Sequence, residues 1–235
     1  MQYIFEPQAR PSVAIADHSA RFPVHRIYCV GRNYAAHARE MGGDPEREPP
    51  FFFTKPADAV VDAGVDAGAT IPYPPDTADL HHEIELVVAI DRGGTDISPG
   101  SALEHVFGYA PGIDLTRRDR QAQARAKGLP WDWSKGFDRS APLAPLQRVA
   151  AVGHPTRGRI WLEVENELRQ EGDLADLIWS VPEIIAIVSR SMALQPGDLI
   201  FTGTPAGVGP ILPGQRVRGG IEGLGEIALT VAERR

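Results

Sequence analysis

Cysteine is almost missing from this chain: Cys29 is the only one among 235 residues. A single thiol cannot build an internal disulfide framework or a thiolate-rich metal site. Its setting, the apolar run "RIYCVG", reads as a small core hydrophobe, with a nucleophile as the alternative. This usage fits a reducing cytoplasm, and the N-terminal stretch, broken by proline, shows no signal-peptide core. Basic charge is also in short supply, 24 Lys and Arg against 31 Asp and Glu, for a net charge of −7. No electrostatic case therefore exists for nucleic acid or an anionic membrane as partner. No apolar run approaches the roughly 20 residues of a membrane-spanning helix. Several signatures are missing as well: the Gly-x-Ser-x-Gly elbow, His-Glu-x-x-His and Cys-x-x-Cys. Serine hydrolase, zincin and thioredoxin-like chemistries fall with them. The glycine-rich "FTGTPAGVGPILPG" carries neither Gly-Lys-Ser/Thr nor a Gly-x-Gly-x-x-Gly helix start, so a nucleotide site is not expected.

Glycine and proline are plentiful, 24 and 21, and spread along the chain. Many tight turns follow, without a linker or an internal repeat. Strand-like segments dominate: "RIYCVG", "FFFTKPADAV", "EIELVVAI", "VFGYAPGIDLT", "RIWLEVENEL", "DLIFTG" and "EIALTVAE". Helical signals are fewer. "NYAAHAREMGG" has Asn33 as candidate N-cap and Gly42 or Gly43 as stop. "SVPEIIAIVSRSMALQPGD" places Ser180 and Glu183 in capping-box spacing, with apolar positions 184, 185, 188 and 192 on one face. The expectation is a β-rich α+β fold.

In "LHHEIELVVAI", alternation puts Ile84, Leu86, Val88 and Ile90 on one face and Glu83, Glu85, Val87 and Ala89 on the other. Two carboxylates on one face of an apolar strand repel each other unless a cation lies between them. The pattern also describes a strand end whose glutamates reach water beside His81 and His82. Asp114, in "GYAPGIDLTRRDRQ", is either a strand-terminating acid or a third oxygen donor. With it, a hard all-carboxylate site would favour Mg²⁺ or Mn²⁺ over zinc. His37 and Glu40 stand at i and i+3 of the candidate helix, where a carboxylate can orient an imidazole as a base; scattered surface charges are the alternative. Lys135, in "WDWSKGFDRSAP" among Trp131, Trp133 and Phe137, could steady an oxyanion or a substrate carboxylate, or simply be solvated. Thr202 and Thr204 could grip a carboxylate.

Five motifs in order resemble the fumarylacetoacetate hydrolase superfamily: "GRNYAAHAREMG", "PFFFTKPADAV", "HHEIELVVAI", "GYAPGIDLTRRDRQ" continuing to "SKGFDRSAP", and "FTGTPAGVG". The resemblance implies a mixed β-roll, with residues 1–20 as an N-terminal extension and 21–235 as a single catalytic domain. It implies a homodimer and a cytoplasmic enzyme. Glu83, Glu85 and Asp114 would bind Mg²⁺ (or Mn²⁺), His37 and Glu40 would activate water, and Lys135 and Gln121 would assist. The finer likeness is to the acylpyruvate hydrolase branch, which acts on small 2,4-dioxo acids. The implied reaction is hydrolysis of the C3–C4 bond of a 3-acylpyruvate, with fumarylpyruvate giving fumarate and pyruvate in gentisate breakdown. Arg32, Arg118 and the Thr202–Thr204 turn are candidates for the far carboxylate. Oxaloacetate decarboxylation or keto-enol tautomerisation is the alternative chemistry, and a non-enzymatic ligand-binding domain is the remaining one. The Gly- and Pro-rich segment 41–50 is expected to let the His37 helix close over substrate.

Overall fold

The strand Ile84–Ile90 divides the interior in two. All seven of its residues are buried. Ile84, Leu86, Val88 and Ile90 enter one hydrophobic cluster, and Val87 and Ala89 enter a second one on the opposite face. The computed structural model describes residues 2–40 and 48–233, apart from the side chains of Ala38 and Glu40. Ile84–Ile90 pairs antiparallel with Val106–Ile113 on one side and Leu199–Phe201 on the other. Leu199–Phe201 runs parallel to Ile27–Gly31, which pairs antiparallel with Phe51–Lys55. With Ala141–Leu143, Val60–Asp62 and Gln147–Arg148 these strands form an eight-stranded mixed sheet.

A five-stranded sheet faces it, running Glu167–Asp173, Arg159–Val164, Arg216–Ile221, Gly225–Val231, Ala69–Ile71. Its inward residues Ile160, Leu162, Val217, Ile227 and Leu229 share the larger cluster with Leu86 and Val88. The other face of the eight-stranded sheet is covered by the hairpin Ser12–Ile15/His18–Pro23, whose Val13 and Phe22 pack with Cys29, Val87 and Phe201. Sheets packed face to face with few helices give the expected strand-rich, curled α+β architecture. Cys29 is fully buried in the smaller cluster, and that burial raises its thiol pKa. It is a core residue. No helix among the described residues is long and apolar enough to cross a membrane.

The helix Val181–Ser191 forms where the capping box places it, and the Ser180 N–H donates to Glu183 Oε2 at 3.0 Å. Ile184, Ile185 and Val188 are buried as their spacing requires, but Met192 lies past the helix end and is 45% exposed. The helix Ala35–Glu40 is present; Gly42 and Gly43, and residues 41–47 of the segment expected to close over substrate, lie outside the described residues. Asn33 is fully buried and joins three segments. Its Oδ1 accepts from the Trp179 N–H, and its Nδ2 donates to the carbonyls of Trp179 and Thr202.

Three segments differ from their sequence expectation. "RIWLEVENEL" is two strands, because Glu165 and Asn166 both take positive φ (53° and 63°) in a tight turn between them. The run 80–90 breaks at Glu83 into Leu80–His82 and Ile84–Ile90. Finally, the end of "GYAPGIDLTRRDRQ", whose charges suggest a turn, instead starts the ten-residue helix Arg118–Lys127, closed by Gly128 at φ 64°. It has no apolar stripe to announce it.

Gly112 sits opposite Glu85 in the sheet, and a Cβ there would lie 2.6 Å from Val87 Cγ2 and 2.9 Å from Leu143 Cδ1. Gly112→Ala is expected to cost about 1–3 kcal/mol by overpacking. Urea unfolding reads this directly, and an unchanged midpoint would show that the sheet yields at this point.

Candidate active site

Strand register brings the three acids together. Glu83 occupies the break before Ile84–Ile90, Glu85 is that strand's second residue, and Asp114 follows Val106–Ile113. The Asp114 N–H donates to the Glu83 carbonyl at 2.8 Å, locking the two chain segments at this level. One oxygen from each of Glu83, Glu85 and Asp114 lies within 4.8 Å of the others. Their exposures are 5%, 2% and 0%. Three carboxylates so placed demand compensation, because burying an isolated charge is prohibitive.

Two lysines and an arginine supply part of it. Lys135 Nζ donates to Glu83 Oε2 (2.8 Å), Asp114 Oδ2 (2.6 Å) and Thr116 Oγ1 (2.6 Å), which uses all three of its protons. Lys55 Nζ lies 2.8 Å from Asp114 Oδ1 and donates to the carbonyls of Leu115 and Lys135. Arg118 Nη2 donates to Glu83 Oε1 at 2.5 Å. Burial by itself would raise the Glu83 pKa, but the charges of Lys135 and Arg118 outweigh it and hold the carboxyl well below its usual range. Glu85 is the reverse case. Burial, then the negative charges of Asp114 and Glu83, push its pKa well above normal, and the Gly203 N–H at 2.7 Å offsets only part of that. The cluster therefore has one acid that its own cations do not satisfy. An all-oxygen donor set with an undercompensated carboxylate fits a hard divalent cation, Mg²⁺ or Mn²⁺.

Glu83 and Glu85 line a cavity of about 430 Å³, a volume that suits a small metabolite, with Asp114 buried behind them. His37, 6% exposed, lines it together with Lys135, Gln121, Arg118, Arg32 and Thr204. The helix Arg118–Lys127 brings Gln121 to the wall, where its Oε1 accepts from Arg118 Nη1. Thr204 Oγ1 accepts from Gln170 Nε2 at 2.8 Å, and Gln170 Oε1 pairs with His82 Nδ1 at 2.8 Å. His82 is fully buried, and burial lowers its pKa to about 4, so it is a neutral structural partner and gives the glutamates no path to water.

Not every candidate reaches the cavity. Thr202 is fully buried and its hydroxyl donates to the Leu86 carbonyl at 2.9 Å, so it anchors the turn and leaves Thr204 alone on the wall. Lys135 faces the acids, and its ammonium lies 4.9 Å from the Phe53 ring, while the neighbouring Trp133 is 80% exposed. The Glu40 side chain lies outside the described residues. Lys55 was not foreseen. A lysine ending an aromatic strand carries no local mark of a partner nearly sixty residues away, and only the pairing of Ile27–Gly31 with Phe51–Lys55 sets it beneath Asp114.

Residues 26–232 match the description fumarylacetoacetate (FAA) hydrolase C-terminal, and the chain belongs to that family. A fumarylpyruvate hydrolase from Pseudomonas aeruginosa, solved in complex with Mn²⁺ and pyruvate, is 53% identical. The match covers 99% of this chain and 100% of that one with a TM-score of 0.97. A fumarylpyruvate hydrolase of Ralstonia sp is 44% identical over 191 residues, 80% of this chain and 95% of the relative. A mitochondrial oxaloacetate tautomerase of Oryza sativa subsp. japonica is 42% identical over 210 residues, 89% of this chain and 90% of the relative.

The opposed shifts of Glu83 and Glu85 predict a pH signature for chelator-treated protein. Glu85 binds its proton more tightly folded than unfolded, so its influence lowers stability as pH rises above about 4.3 through the raised value. Glu83 contributes stability above about 4.3 that is lost as pH falls through its depressed value. Glu85→Gln removes the first effect only. The variant's unfolding temperature at about pH 8 is expected to exceed the parent's by at least 2–4 °C, roughly 1 kcal/mol for a chain this size. Calorimetry at about pH 5 and pH 8 checks it; a variant less stable than the parent at both would contradict the charge assignment.

Proposed function

We propose that the protein is a metal-dependent hydrolase of 3-acylpyruvates, cleaving the C3–C4 bond, with fumarylpyruvate as substrate. The observation that carries this reading is the buried acid triad, two of whose members, Glu83 and Glu85, line the same cavity as His37. Glu83, Glu85 and Asp114 would hold Mg²⁺ or Mn²⁺, supplying Lewis acidity for the 2-oxo acid end of the substrate. The two fumarylpyruvate hydrolases support the substrate, and the Mn²⁺ and pyruvate bound in one of them support the metal and one product.

In this mechanism His37 takes a proton from a water molecule as the water oxygen bonds to C4. Glu40 orients the imidazole, a role that rests on the i, i+3 spacing within Ala35–Glu40. Gln121, held by Arg118, faces the cavity where a side-chain amide can donate to the oxyanion formed at C4. The C4 oxyanion then reforms its carbonyl, the C3–C4 pair passes to C3, and His37 returns its proton there. Fumarate and pyruvate leave. Lys135 keeps Glu83 ionised and aligns it with Asp114; a direct role on the oxyanion would require it to give up one of its three bonds.

A second reading, oxaloacetate keto-enol tautomerisation, is favoured by the relative from rice. It needs the same acids but moves a proton to and from C3 without water attack. Loss of fumarylpyruvate enol absorbance with Mg²⁺, and with excess EDTA, tests the first reading, with oxaloacetate run in parallel. Chelator-sensitive cleavage with weak oxaloacetate turnover is expected, and the reverse pattern would select the tautomerase.

Two substitutions sharpen the assignment. His37→Ala is expected to lower kcat on fumarylpyruvate by about 10²–10⁴ while KM changes little; a raised KM at unchanged kcat would remove His37 as the base. Glu83→Gln is expected to abolish the rise in unfolding temperature on adding Mn²⁺, and a full rise would remove Glu83 from the metal ligands.

A further inference from the structure

The helix Arg118–Lys127 is two-sided. Its residues 118, 121, 122, 125 and 126 line the acid-floored cavity, while 120, 123, 124 and 127 line a separate cleft. This is the 3.6-residue period written in polar and small residues. Arg118 stands at the floor, bonded to Glu83. Arg125 lies seven residues on, two helical turns and about 10 Å along the axis, on the same face. Ala122 and Ala126 flank it and leave the wall low. Phe51 and Trp131 also line the cavity, packed edge to face with centroids 5.1 Å apart. Arg32 completes the outer end, with its guanidinium 5.7 Å from the Phe51 ring and its backbone at φ 57°.

The charge along the cavity is therefore graded. The acids that line it, Glu83 and Glu85, are at the floor, and the outer end pairs apolar walls with Arg125 and Arg32. Such an end recognises an extended apolar segment that terminates in an anion. We propose that Arg125 is a specificity-determining residue that binds the distal carboxylate of the substrate, selecting acylpyruvates whose acyl group is itself an extended acid. The proposal rests on the acylpyruvate hydrolase reading and goes beyond it by naming what chooses the acyl group. Length supports it. Six bonds separate the carboxylate carbons of fumarylpyruvate, roughly 7–8 Å at the rise of an extended chain, whereas three bonds separate those of oxaloacetate, roughly 4 Å. Only the longer molecule can keep its 2-oxo acid end at the floor and reach the second turn of the helix.

The test compares Arg125→Ala and Arg125→Lys with the parent on fumarylpyruvate and on acetylpyruvate, which has a methyl group where the distal acid begins. Arg125 is exposed and outside both hydrophobic clusters, so truncation does not disturb the core. For Arg125→Ala the ratio of kcat/KM for fumarylpyruvate over acetylpyruvate is expected to fall about tenfold, chiefly through KM. Arg125→Lys should restore much of the ratio. Added salt should raise the parent's KM for fumarylpyruvate more than the alanine variant's, because an exposed charge is screened. An unchanged ratio in Arg125→Ala, with both substrates cleaved, overturns this proposal and leaves the hydrolase reading standing. If the parent protein cleaves neither acylpyruvate, the hydrolase reading falls and takes this one with it.

Discussion

Three carboxylates buried within reach of one another impose the constraint around which the rest of this molecule is arranged. Glu83, Glu85 and Asp114 cannot be withdrawn from water together without cations, and the fold draws these from distant segments. Lys55 comes from the strand Phe51–Lys55, Lys135 from the short helix Asp132–Lys135, and Arg118 from the start of a third element. Buried ion clusters contribute little net stability, because desolvation consumes most of the Coulombic gain. The stabilising work falls to the two hydrophobic clusters either side of Ile84–Ile90. A cluster that stability does not explain, with one acid left undercompensated on a cavity floor, is what a binding site for a cation requires.

The same constraint explains the local irregularities. The strand breaks at Glu83 so that Leu80–His82 can pair with Thr116–Arg117 and Gly209–Pro210 while Ile84–Ile90 pairs elsewhere. Gly203, at φ 101°, turns its N–H onto Glu85, and a Cβ there would meet Asn33 Cβ at 2.7 Å. Glycine is required at this point by both backbone and neighbour. Asn33 in turn ties the segment before the His37 helix to Trp179 and Thr202. One network of hydrogen bonds thus sets the acids and the His37 element relative to each other.

Much of this was legible in the sequence, for reasons that can be named. The alternation from 84 to 90 assigned each side chain to its face, and the odd pair of glutamates on that face raised the question of a cation. The Ser180 to Glu183 spacing located a helix because capping is local chemistry. What was not legible depends on distant partners or on missing contrast. Lys55 looks like an ordinary lysine until strand pairing sets it beneath Asp114, and Lys135, noticed in the sequence, shows its acid partners only in the fold. Thr202 and Thr204 look alike in "FTGTP", yet Gly203 between them turns the backbone at φ 101°, so Thr202 bonds to the Leu86 carbonyl and Thr204 reaches the wall. The helix Arg118–Lys127 was hidden because both of its sides face clefts, so no apolar stripe marked it.

That hidden helix bears on how one scaffold can serve more than one reaction. The Ralstonia fumarylpyruvate hydrolase and the rice oxaloacetate tautomerase resemble this chain to similar degrees, 44% and 42% identity, although the Pseudomonas hydrolase reaches 53%. Both reactions pass through an enolate of a 2-oxo acid, so an acid floor holding a cation suits either and cannot choose between them. The choice has to be made where the substrates differ, which is beyond C3. Under the substrate placement proposed above, that region is bounded by Gln121, Ala122, Arg125 and Ala126 of the helix together with Phe51 and Trp131. These side chains contribute little to either hydrophobic cluster, so substitutions among them leave the core intact. The floor is thereby fixed by buried acids whose replacement is costly, while Phe51, Ala122, Arg125 and Ala126 on the walls are exposed and can change without disturbing the core.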